Sequence, residues 1–343
     1  MNSQNEVLKV NNLTIGYKGK KSLKNILLKD LELPVDKGDL ICLLGPNGSG
    51  KSTLLRTIAG IQRPLKGNVL IDGKDIFTLD RKLLAQKLGV VLTGNADTAN
   101  IPVNSIVSMG RFPYNNWLGM MRQEDLKKVD EVLNITGLEK YRNKNMSELS
   151  DGIRQKVMIA RVLAQDTPVI LLDEPTAFLD IPAKLEIMHM LRTLVRESEK
   201  SVILSTHDLE MALQSADKIW LITKDSIVSD TPEDLALNGY FERTFNTGDV
   251  EFLPGKGIFK MSYTGMLKLK VTGNELVVFW TEKALERIGI TVTYENNYDG
   301  ELIITANNHE KEWLLKLGNQ ERMFDSIAKL LAFLSRSSIN NSQ

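Results

Sequence analysis

The sequence has a single cysteine, no net charge and no long apolar run, and each absence excludes a class of protein. One cysteine, Cys42, cannot form a disulfide within the chain, which fits a reducing compartment. It lies in the apolar run DLICLLG, where a free cysteine behaves as a small hydrophobic residue. We therefore interpret Cys42 as a core residue and not as a nucleophile.

The sequence also lacks the features of membrane insertion and of electrostatic recruitment. No segment approaches the ~20 consecutive apolar residues that cross a bilayer, and MNSQNEVLKV has no basic stretch followed by an apolar one. Lys plus Arg and Asp plus Glu both number 43, so no net positive field attracts nucleic acid or an anionic membrane. These patterns predict a cytoplasmic chain, or one peripheral to a membrane.

The remaining composition is that of an ordinary globular protein with more than one domain. The chain has 343 residues, 42% of them hydrophobic and 25% charged, which predicts two or three folding units at ~150 residues each. Up to residue 243, short buried runs such as PVILLDEP and SVILSTH alternate with amphipathic stretches such as KLEIMHMLRTLVRES. This alternation predicts an α/β fold with a parallel sheet. Residues 6–45 read as antiparallel strands that lead into a buried strand, and residues 95–165 read as mostly helical, so we also predict an antiparallel β subdomain and a helical subdomain.

The last hundred residues have a different pattern of predicted strands and helices. MLKLKV, ELVVFW, TVTYE, ELIIT and EWLLKL read as short strands, while TEKALERIG and MFDSIAKLLAFLS read as helices. We therefore predict a first domain over residues 1–243 and a small α+β domain over residues 244–343. Its role is open between sensing a ligand, strengthening a dimer and regulating the first domain, and its aromatic residues Trp280, Trp313 and Tyr294 fit a core or a pocket equally well.

A glycine-rich segment carries the first chemical signal. GPNGSGKST at residues 45–53 matches the P-loop pattern, in which backbone N–H groups and a helix N-terminus surround phosphate oxygens. The strand-like LICLLG precedes it and the helix-like STLLRTIAG follows it, which a simple glycine-rich turn would not require. Lys51 would reach the β and γ phosphates and Ser52 would bind magnesium, so we predict ATP and Mg²⁺ as cofactors. The predicted phosphate-binding residues are Gly45, Pro46, Asn47, Gly48, Ser49, Gly50, Lys51, Ser52 and Thr53.

Two acids after a buried strand complete this site. PVILLDEPT at residues 168–176 places Asp173 at the carboxyl end of a strand, where open α/β sheets bind ligands and where it can hold magnesium. Glu174 would then face the γ phosphate as the general base. Acids after a strand often only begin a turn, so this interpretation depends on the P-loop.

In this order the motifs resemble the ATP-binding subunits of ABC transporters, from about Val7 to Gly239. LSDGIRQ at residues 149–155 resembles the signature loop of that family. The resemblance implies that Ser150 and the backbone of Gly152 contact the γ phosphate on an opposing subunit, and hence a head-to-tail homodimer with two ATP molecules between the subunits. AFLD at residues 177–180 resembles the D-loop, which implies that Asp180 crosses the dimer interface.

Two single residues acquire roles only through the same resemblance. His207, after the strand SVILST, occupies the position of the switch histidine, which would hold the γ phosphate and Glu174 in register. Tyr17 in LTIGY corresponds to the aromatic residue that stacks on adenine. Without the resemblance, a histidine after a strand is more often a polar cap, and an aromatic residue on a half-buried strand usually only packs against its neighbours. The other two histidines, His189 and His309, are interpreted as structural.

The chain departs from the family pattern at two places. The signature LSGGQ here has Asp151 and Ile153 at its third and fifth positions. The glutamine expected after the strand LGVVLT, which in the family touches magnesium and relays to the membrane subunit, is Thr93. Thr93 could offer a hydroxyl ligand to magnesium, whereas Gln86 lies on the wrong side of the strand to replace it.

The segment VNSIVSMGRFPYNNWLG at residues 103–119 resembles the segment that follows the loop with the expected glutamine in importers of iron-siderophore complexes, heme and cobalamin. The resemblance is strongest in its core, GRFPY. The resemblance implies an ATPase at the cytoplasmic side of the membrane, with Trp117 near the groove that receives a permease. Its partners would be integral membrane permease subunits and, indirectly, an extracytoplasmic substrate-binding protein.

The competing class is a soluble ABC-type ATPase that acts on nucleic acid or ribosomes. Such proteins usually carry two nucleotide-binding halves or a long coiled coil between the P-loop and the signature. This chain has one half, no sustained heptads and no net positive charge, so we expect no nucleic-acid partner.

Overall fold

The computed structural model of the chain describes residues 5–18, 24–92, 98–115, 120–224, 226–261, 268–293, 302–307, 312–318 and 320–336. Contacts divide the chain into two units, one of Met1–Phe245 with Phe252–Ile258 and the other of Asn246–Glu251 with Phe259–Gln343. The domain limits 1–243 and 244–343 stay a prediction. Among the described residues, no helix combines the length and the apolarity that a membrane span requires.

The first unit alternates strands and helices along its length. Its strands are β1 (Glu6–Lys18), β2 (Lys24–Asp36), β3 (Leu40–Leu44), β4 (Lys66–Ile71), β5 (Lys74–Asp75), β6 (Leu88–Val91), β7 (Val169–Asp173), β8 (Ser201–Ser205), β9 (Lys218–Ile222) and β10 (Ile227–Asp230). Its helices are α1 (Lys51–Ile58), α2 (Arg81–Lys87), α3 (Val103–Ser108), α4 (Gln123–Ile135), α5 (Asp151–Gln165), α6 (Ile181–Ser198), α7 (Leu209–Ser215), α8 (Pro232–Leu237) and α9 (Tyr240–Phe245).

A six-stranded sheet in the order β10-β9-β3-β8-β7-β6 forms the centre of this unit. Strands β3, β6, β7, β8 and β9 pair in parallel, and β10 joins antiparallel at one edge. All five residues of β3, of β7 and of β8 are buried, as expected for parallel strands covered on both faces. The predicted parallel α/β core is therefore confirmed, and the carboxyl ends of β3, β7 and β8 meet at one edge of the sheet.

Two further layers pack around the central sheet. The antiparallel strands β2-β1-β4-β5 form a second sheet, whose core includes Leu54, Leu55 and Ile58 of α1. Helices α3, α4 and α5 pack on one another and on the other face of the central sheet through apolar residues such as Val132 and Val157. Both the predicted antiparallel β region and the predicted helical region are present.

The GRFPY segment forms a 3₁₀ turn, Met109–Tyr114, that polar side chains fix to its neighbours. Arg111 Nε donates to Asp125 Oδ1 at 2.8 Å, and Arg111 Nη1 donates to the carbonyl of Ala164 at 2.8 Å. The guanidinium also lies 4.0 Å from the ring centroid of Tyr114. A Cβ at Gly110 would lie 2.1 Å from the carbonyl oxygen of Arg161, so only glycine permits this close approach. The turn is held against α4 and α5.

The second unit is an α+β structure. Strands β11 (Val250–Leu253) and β12 (Ile258–Met261) are divided between the two units. The other elements of the second unit are β13 (Lys268–Gly273), α10 (Glu275–Glu286), β14 (Thr291–Thr293), β15 (Leu302–Asn307), β16 (Glu312–Leu317), β17 (Gln320–Phe324) and α11 (Ile327–Arg336). Strands β11 and β12 pair with each other, at the point where the division by contacts alternates between the units. The other strands form a sheet in the order β14-β13-β15-β16-β17, with a core that includes Leu269, Leu285 and Leu315.

Two sequence predictions in the second unit are wrong. ELVVFW was expected to be a strand, but it forms the first half of α10, because the side chain of Asn274 accepts hydrogen bonds from the N–H groups of Leu276 and Val277 and caps a helix there. The closing helix was expected to include Met323 and Phe324, but both belong to β17, which pairs with β16. A cap and a strand partner override the local propensities.

Replacing Asp125 should test the anchor of the 3₁₀ turn. Asp125→Ala leaves the guanidinium of Arg111, of which little is exposed, without its carboxylate, which costs ~3–5 kcal/mol for a buried pair. Urea unfolding should show this loss. Asp130→Asn on the exposed face of α4, where Asp130 pairs with Arg142, should cost about 1 kcal/mol or less; equal losses would contradict the prediction.

The same carboxylate should make stability depend on pH. Burial acts to raise the pKa of Asp125, but hydrogen bonds from the backbone of Arg122 and from Arg111 outweigh it, and the pKa lies below its usual range. The pair therefore stabilises the fold fully above the unfolded-state pKa, and this contribution is lost as the pH falls through the folded-state pKa. Acid titration of unfolding should show a smaller loss of stability for Asp125→Ala than for the original chain.

Candidate functional site

The P-loop lies between the end of β3 and the start of α1. The loop residues Gly48 (φ 76°) and Gly50 (φ 103°) adopt backbone conformations that side chains with a Cβ rarely take. Gly50 is the N-cap of α1 and provides no side-chain hydrogen bond, so the first N–H groups of the helix remain open to a ligand. The strand, loop and helix therefore follow in the predicted order.

Lys51 and Ser49 are polar side chains buried inside this loop. Lys51 is only 6% exposed, and its Nζ donates to the carbonyls of Gly45 at 2.7 Å and Pro46 at 3.1 Å. Burial lowers the pKa of Lys51, and the charges of Glu174 and Asp173 oppose this shift. Ser49 Oγ is buried and has no hydrogen-bond partner among the described residues. An anion in the loop would supply the charge and the acceptor that these two groups lack.

Asp173 joins the P-loop to the carboxyl ends of β7 and β8. Ser52 Oγ donates to Asp173 Oδ1 at 3.3 Å, and Ser205 Oγ donates to the same oxygen at 2.7 Å. The register of the sheet pairs Asp173 with Ser205 directly. A hydroxyl and a carboxylate side by side are the oxygen ligands that Mg²⁺ takes when phosphates and water complete its shell. In the described part of the chain no group of three or more His, Cys, Asp or Glu residues forms a metal cage of its own.

Glu174 has a strained backbone and a directed side chain. Its φ is 51°, in the left-handed region, and its backbone N–H donates to Ser205 Oγ at 2.9 Å. His207 Nε2 lies 2.5 Å from Glu174 Oε1, and because a carboxylate only accepts, the histidine is the donor. The structure therefore brings Glu174 and His207 together at the edge where Lys51, Ser52 and Asp173 also lie.

Tyr17 lies beside the same helix. It belongs to β1, is half exposed, and its hydroxyl lies 2.9 Å from Thr53 Oγ1 in α1. The hydroxyl contact fixes an exposed aromatic ring next to the phosphate-binding segment. Stacking of Tyr17 on adenine stays a prediction.

Three other predicted residues lie at helix starts and form no bond to the P-loop. Ser150 is the N-cap of α5, and Asp180 is the N-cap of α6, where its side chain accepts from the N–H of Ala183 at 3.0 Å. A Cβ at Gly152 would lie 3.2 Å from the Cβ of Ala183. Within the described ranges no hydrogen bond or ion pair joins Ser150, Gly152 or Asp180 to the P-loop, so their predicted roles depend on a second subunit.

The departures from the family pattern are visible in part. Asp151 is exposed and accepts from Arg154 Nη1 at 2.9 Å, which offsets the extra negative charge at the start of α5. Gln86 lies on α2 and donates to the carbonyl of Pro113 at 2.9 Å, so it supports the GRFPY turn.

Several other sequence predictions concern residues away from the site. Thr93, Trp117, Tyr294 and His309 lie outside the described residues. His189 is exposed on α6. Cys42 is fully buried, and burial raises the pKa of its thiol to about 12, as expected for a core residue.

Ser205 is a site residue that the sequence analysis missed. It is fully buried, donates to Asp173 and accepts from the backbone of Glu174. The available signal was a polar residue at the carboxyl end of the apolar run SVILS. Only the pairing of β7 with β8 shows that this hydroxyl faces the two acids.

Two family models match the chain. The model described as ABC transporter matches residues 28–177, and the model described as Iron ABC transporter C-terminal domain matches residues 267–335. An uncharacterized ABC transporter ATP-binding protein of Methanocaldococcus jannaschii is 35% identical over 266 residues, which cover 77% of this chain and 90% of that protein.

A second relative and a solved structure agree with these matches. The Achromobactin transport ATP-binding protein CbrD of Dickeya dadantii is 37% identical over 235 residues, 68% of this chain and 86% of that protein. A dimeric ATP-binding cassette, MJ0796, in a post-hydrolysis state bound to ADP and Pi, is similar with a TM-score of 0.57 and 31% identity over 66% of this chain and 98% of that one. Nothing in these matches supports the nucleic-acid alternative.

Ser205→Ala should test whether the hydroxyl of Ser205 positions Asp173 and Glu174 for hydrolysis. The substitution removes a donor to Asp173 and an acceptor for the N–H of Glu174, and an unpaired buried group costs ~1–3 kcal/mol. We expect magnesium-dependent ATP hydrolysis to fall roughly tenfold or more, as measured by phosphate release. Ser205→Thr, which keeps the hydroxyl, should retain more activity; equal activity of Ser205→Ala and the original chain would remove Ser205 from the site.

Proposed function

This chain belongs to the ABC transporter ATP-binding proteins, and on that premise we propose that it energises the import of iron-siderophore complexes or of a related chelate such as heme or cobalamin. Its activity as a member of the family is ATP hydrolysis. One observation carries the proposal. The same chain combines the candidate hydrolysis site with a C-terminal segment, residues 267–335, that matches the Iron ABC transporter C-terminal domain. The match to a relative named for achromobactin transport supports the same class of substrate.

We assign the phosphate contacts to the residues of the P-loop. Lys51 would leave the carbonyls of Gly45 and Pro46 for the β and γ phosphates, and the buried hydroxyl of Ser49 would gain an acceptor. Ser52 and Asp173 would hold Mg²⁺, since they present two adjacent oxygens at the edge of the sheet. When bound, the ion would supply positive charge against the phosphate oxygens. Catalysis on these groups is mainly electrostatic positioning.

We assign the general base to Glu174. His207 holds its carboxylate by a direct hydrogen bond, and Ser205 fixes its backbone. The carboxylate would orient a water molecule toward the γ phosphate and take up its proton. The left-handed backbone at Glu174 is the kind of local strain that is found at functional sites.

We also propose that two copies of the chain form the working unit. Phe178 is fully exposed and Ile181 is 72% exposed, on either side of Asp180 at the start of α6. Exposed apolar side chains in such a cluster indicate a contact surface. Ser150, Gly152 and Asp180 would then meet the ATP of the opposing subunit.

The permease would dock at the GRFPY turn. Phe112 is 62% exposed, although its neighbours Arg111 and Tyr114 are fixed against the helices. The carbonyl of Pro113 in the turn accepts a hydrogen bond from Gln86 of α2, and the carbonyl of Asn115, directly after the turn, accepts one from Lys82. A rigid turn that presents an exposed aromatic ring suits a partner contact, which would place the chain at the cytoplasmic side of the membrane. An extracytoplasmic substrate-binding protein would act on the other side.

The proposed function is tested by magnesium-dependent ATPase measurement of the purified chain, alone and reconstituted with a permease of the iron-siderophore importer class. The comparison includes substrate-binding protein with and without a ferric siderophore. Stimulation that needs both the permease and the loaded binding protein would support an iron-chelate importer. Hydrolysis that no permease changes would contradict coupling to transport, and stimulation by a different class of loaded protein would contradict the substrate.

Glu174→Gln should stop turnover while nucleotide still binds. The amide keeps the size of the side chain but removes the proton acceptor, and loss of a general base costs ~10²–10⁴-fold in rate. ATP binding should stay within a few-fold of the original chain, as measured by titration with a fluorescent ATP analogue. Glu210→Gln, at an exposed position on α7, is the matched control and should hydrolyse normally. Normal turnover by Glu174→Gln would remove this residue from the mechanism.

A further inference from the structure

The second unit contains a groove that has no part in the ATP site. Its volume is about 570 Å³, within the range of small-molecule sites. Strand β17, at the edge of the sheet, and helix α11 form its walls. The side chains that matter for its chemistry are Arg322, Phe324, Asp325, Lys329, Phe333 and Arg336.

Strand alternation places Arg322 on the inner face of the sheet. In the register of β16 and β17, Arg322 is paired with Leu315 and Phe324 with Trp313, and Leu315 and Trp313 are both buried. Glu321 is on the opposite face, where it forms an ion pair with Lys316 at 2.7 Å. Arg322 therefore lies on the same face of the sheet as these buried residues but is itself exposed, at the open edge of the sheet where the groove begins.

Aromatic rings hold the guanidinium of Arg322. Its central carbon lies 4.4 Å from the ring centroid of Phe333 and 5.6 Å from that of Phe324, and the two rings are 5.5 Å apart. Such stacking orients a guanidinium but leaves its N–H groups free to donate. Within the described residues, no carboxylate forms an ion pair with Arg322.

The other charges of the groove leave an excess of positive charge. Lys329 Nζ binds Asp325 Oδ2 at 2.6 Å, so these two charges offset each other. Arg336, at the end of α11, has no ion-pair partner in the part of the chain that the structure describes. Among the described residues that line the groove, two arginines thus stand against one remaining acid, Glu312.

We propose that this groove binds a small oxyanion with at least two acidic groups, held by the guanidinium groups of Arg322 and Arg336. Guanidinium groups match the geometry of carboxylates and phosphates with paired hydrogen bonds. The volume accommodates a ligand of the size of a tricarboxylate or a diphosphate. This site goes beyond the proposed function and does not depend on it, because binding needs neither ATP nor a permease.

Calorimetric titration of the purified full-length chain, without nucleotide, tests the site. Citrate serves as the polycarboxylate probe and pyrophosphate as the polyphosphate probe, and acetate at matched ionic strength reports non-specific effects. We expect one citrate per chain in this groove, and binding at least about tenfold weaker for Arg322→Gln and for Arg336→Gln. Arg287→Gln, at an exposed arginine at the end of α10 that does not line the groove, is the matched control and should change affinity less than about twofold.

The outcomes distinguish the source of the anion and the location of the site. Binding of pyrophosphate alone, with the same dependence on both arginines, would support the site and assign it to phosphoryl groups. Citrate binding that survives both arginine substitutions but is lost in Lys51→Ala would place the anion at the P-loop and overturn the proposal. Absence of any arginine-dependent binding of either probe would overturn it as well.

A second pair of variants protects the test against misfolding. Thermal unfolding of each glutamine variant is measured first, because Arg322 also packs on Phe333. Arg322→Lys and Arg336→Lys keep the charge but lose the planar fork, so we expect weakening intermediate between the original chain and the glutamine variants. If a lysine variant folds but its affinity for citrate is no higher than its affinity for acetate, the result would still support the role of the guanidinium. If its affinity for citrate equals that of the original chain, the result would contradict that role.

Discussion

The carboxylate of Asp173 is the group on which the rest of the site depends. It accepts one hydrogen bond from the hydroxyl of Ser52, in the helix that follows the P-loop, and another from the hydroxyl of Ser205, in the adjacent strand. These two contacts join three separate stretches of the sequence at the carboxyl edge of one parallel sheet. Because the strands that carry them are wholly buried, the position of Asp173 is set by the packing of the sheet and not by a mobile loop.

Near this carboxylate, buried polar and charged side chains lack part of the hydrogen bonds or opposite charges that they could have. Among the described residues, the hydrogen bonds of Lys51 go to two neutral carbonyls, and Ser49 Oγ has no hydrogen-bond partner. Such an arrangement costs stability in a protein interior. It has a physical purpose if a polyphosphate completes it, because donors that are already oriented need no reorganisation when charge develops during hydrolysis. The strained backbone of Glu174 belongs to the same pattern.

The two units of the chain use arginine in different ways. Arg111 is sheltered and paired with Asp125, so it fixes the GRFPY turn that presents Phe112. Arg322 lies against two phenylalanine rings without a carboxylate partner among the described residues, so its donors remain available. The same side chain is a structural anchor where its charge is matched and a candidate ligand where it is not.

By itself, the sequence determined the chemistry of the first unit, because a P-loop, a buried strand ending in two acids and the order of the remaining motifs depend on residue type and spacing alone. It also determined the parallel core, since short continuous apolar runs such as VILLD, separated by amphipathic stretches, indicate strands that are covered on both faces. The tertiary structure decided what depends on partners distant in the sequence. Ser205 became a site residue because β8 lies beside β7, and ELVVFW became a helix because Asn274 caps it and its inner face packs on the sheet. Arg322 became a candidate ligand because the pairing of its strand with β16 places it on the face of the sheet that carries Leu315 and Trp313. Local patterns encode propensity, whereas pairing and packing decide which side chains meet.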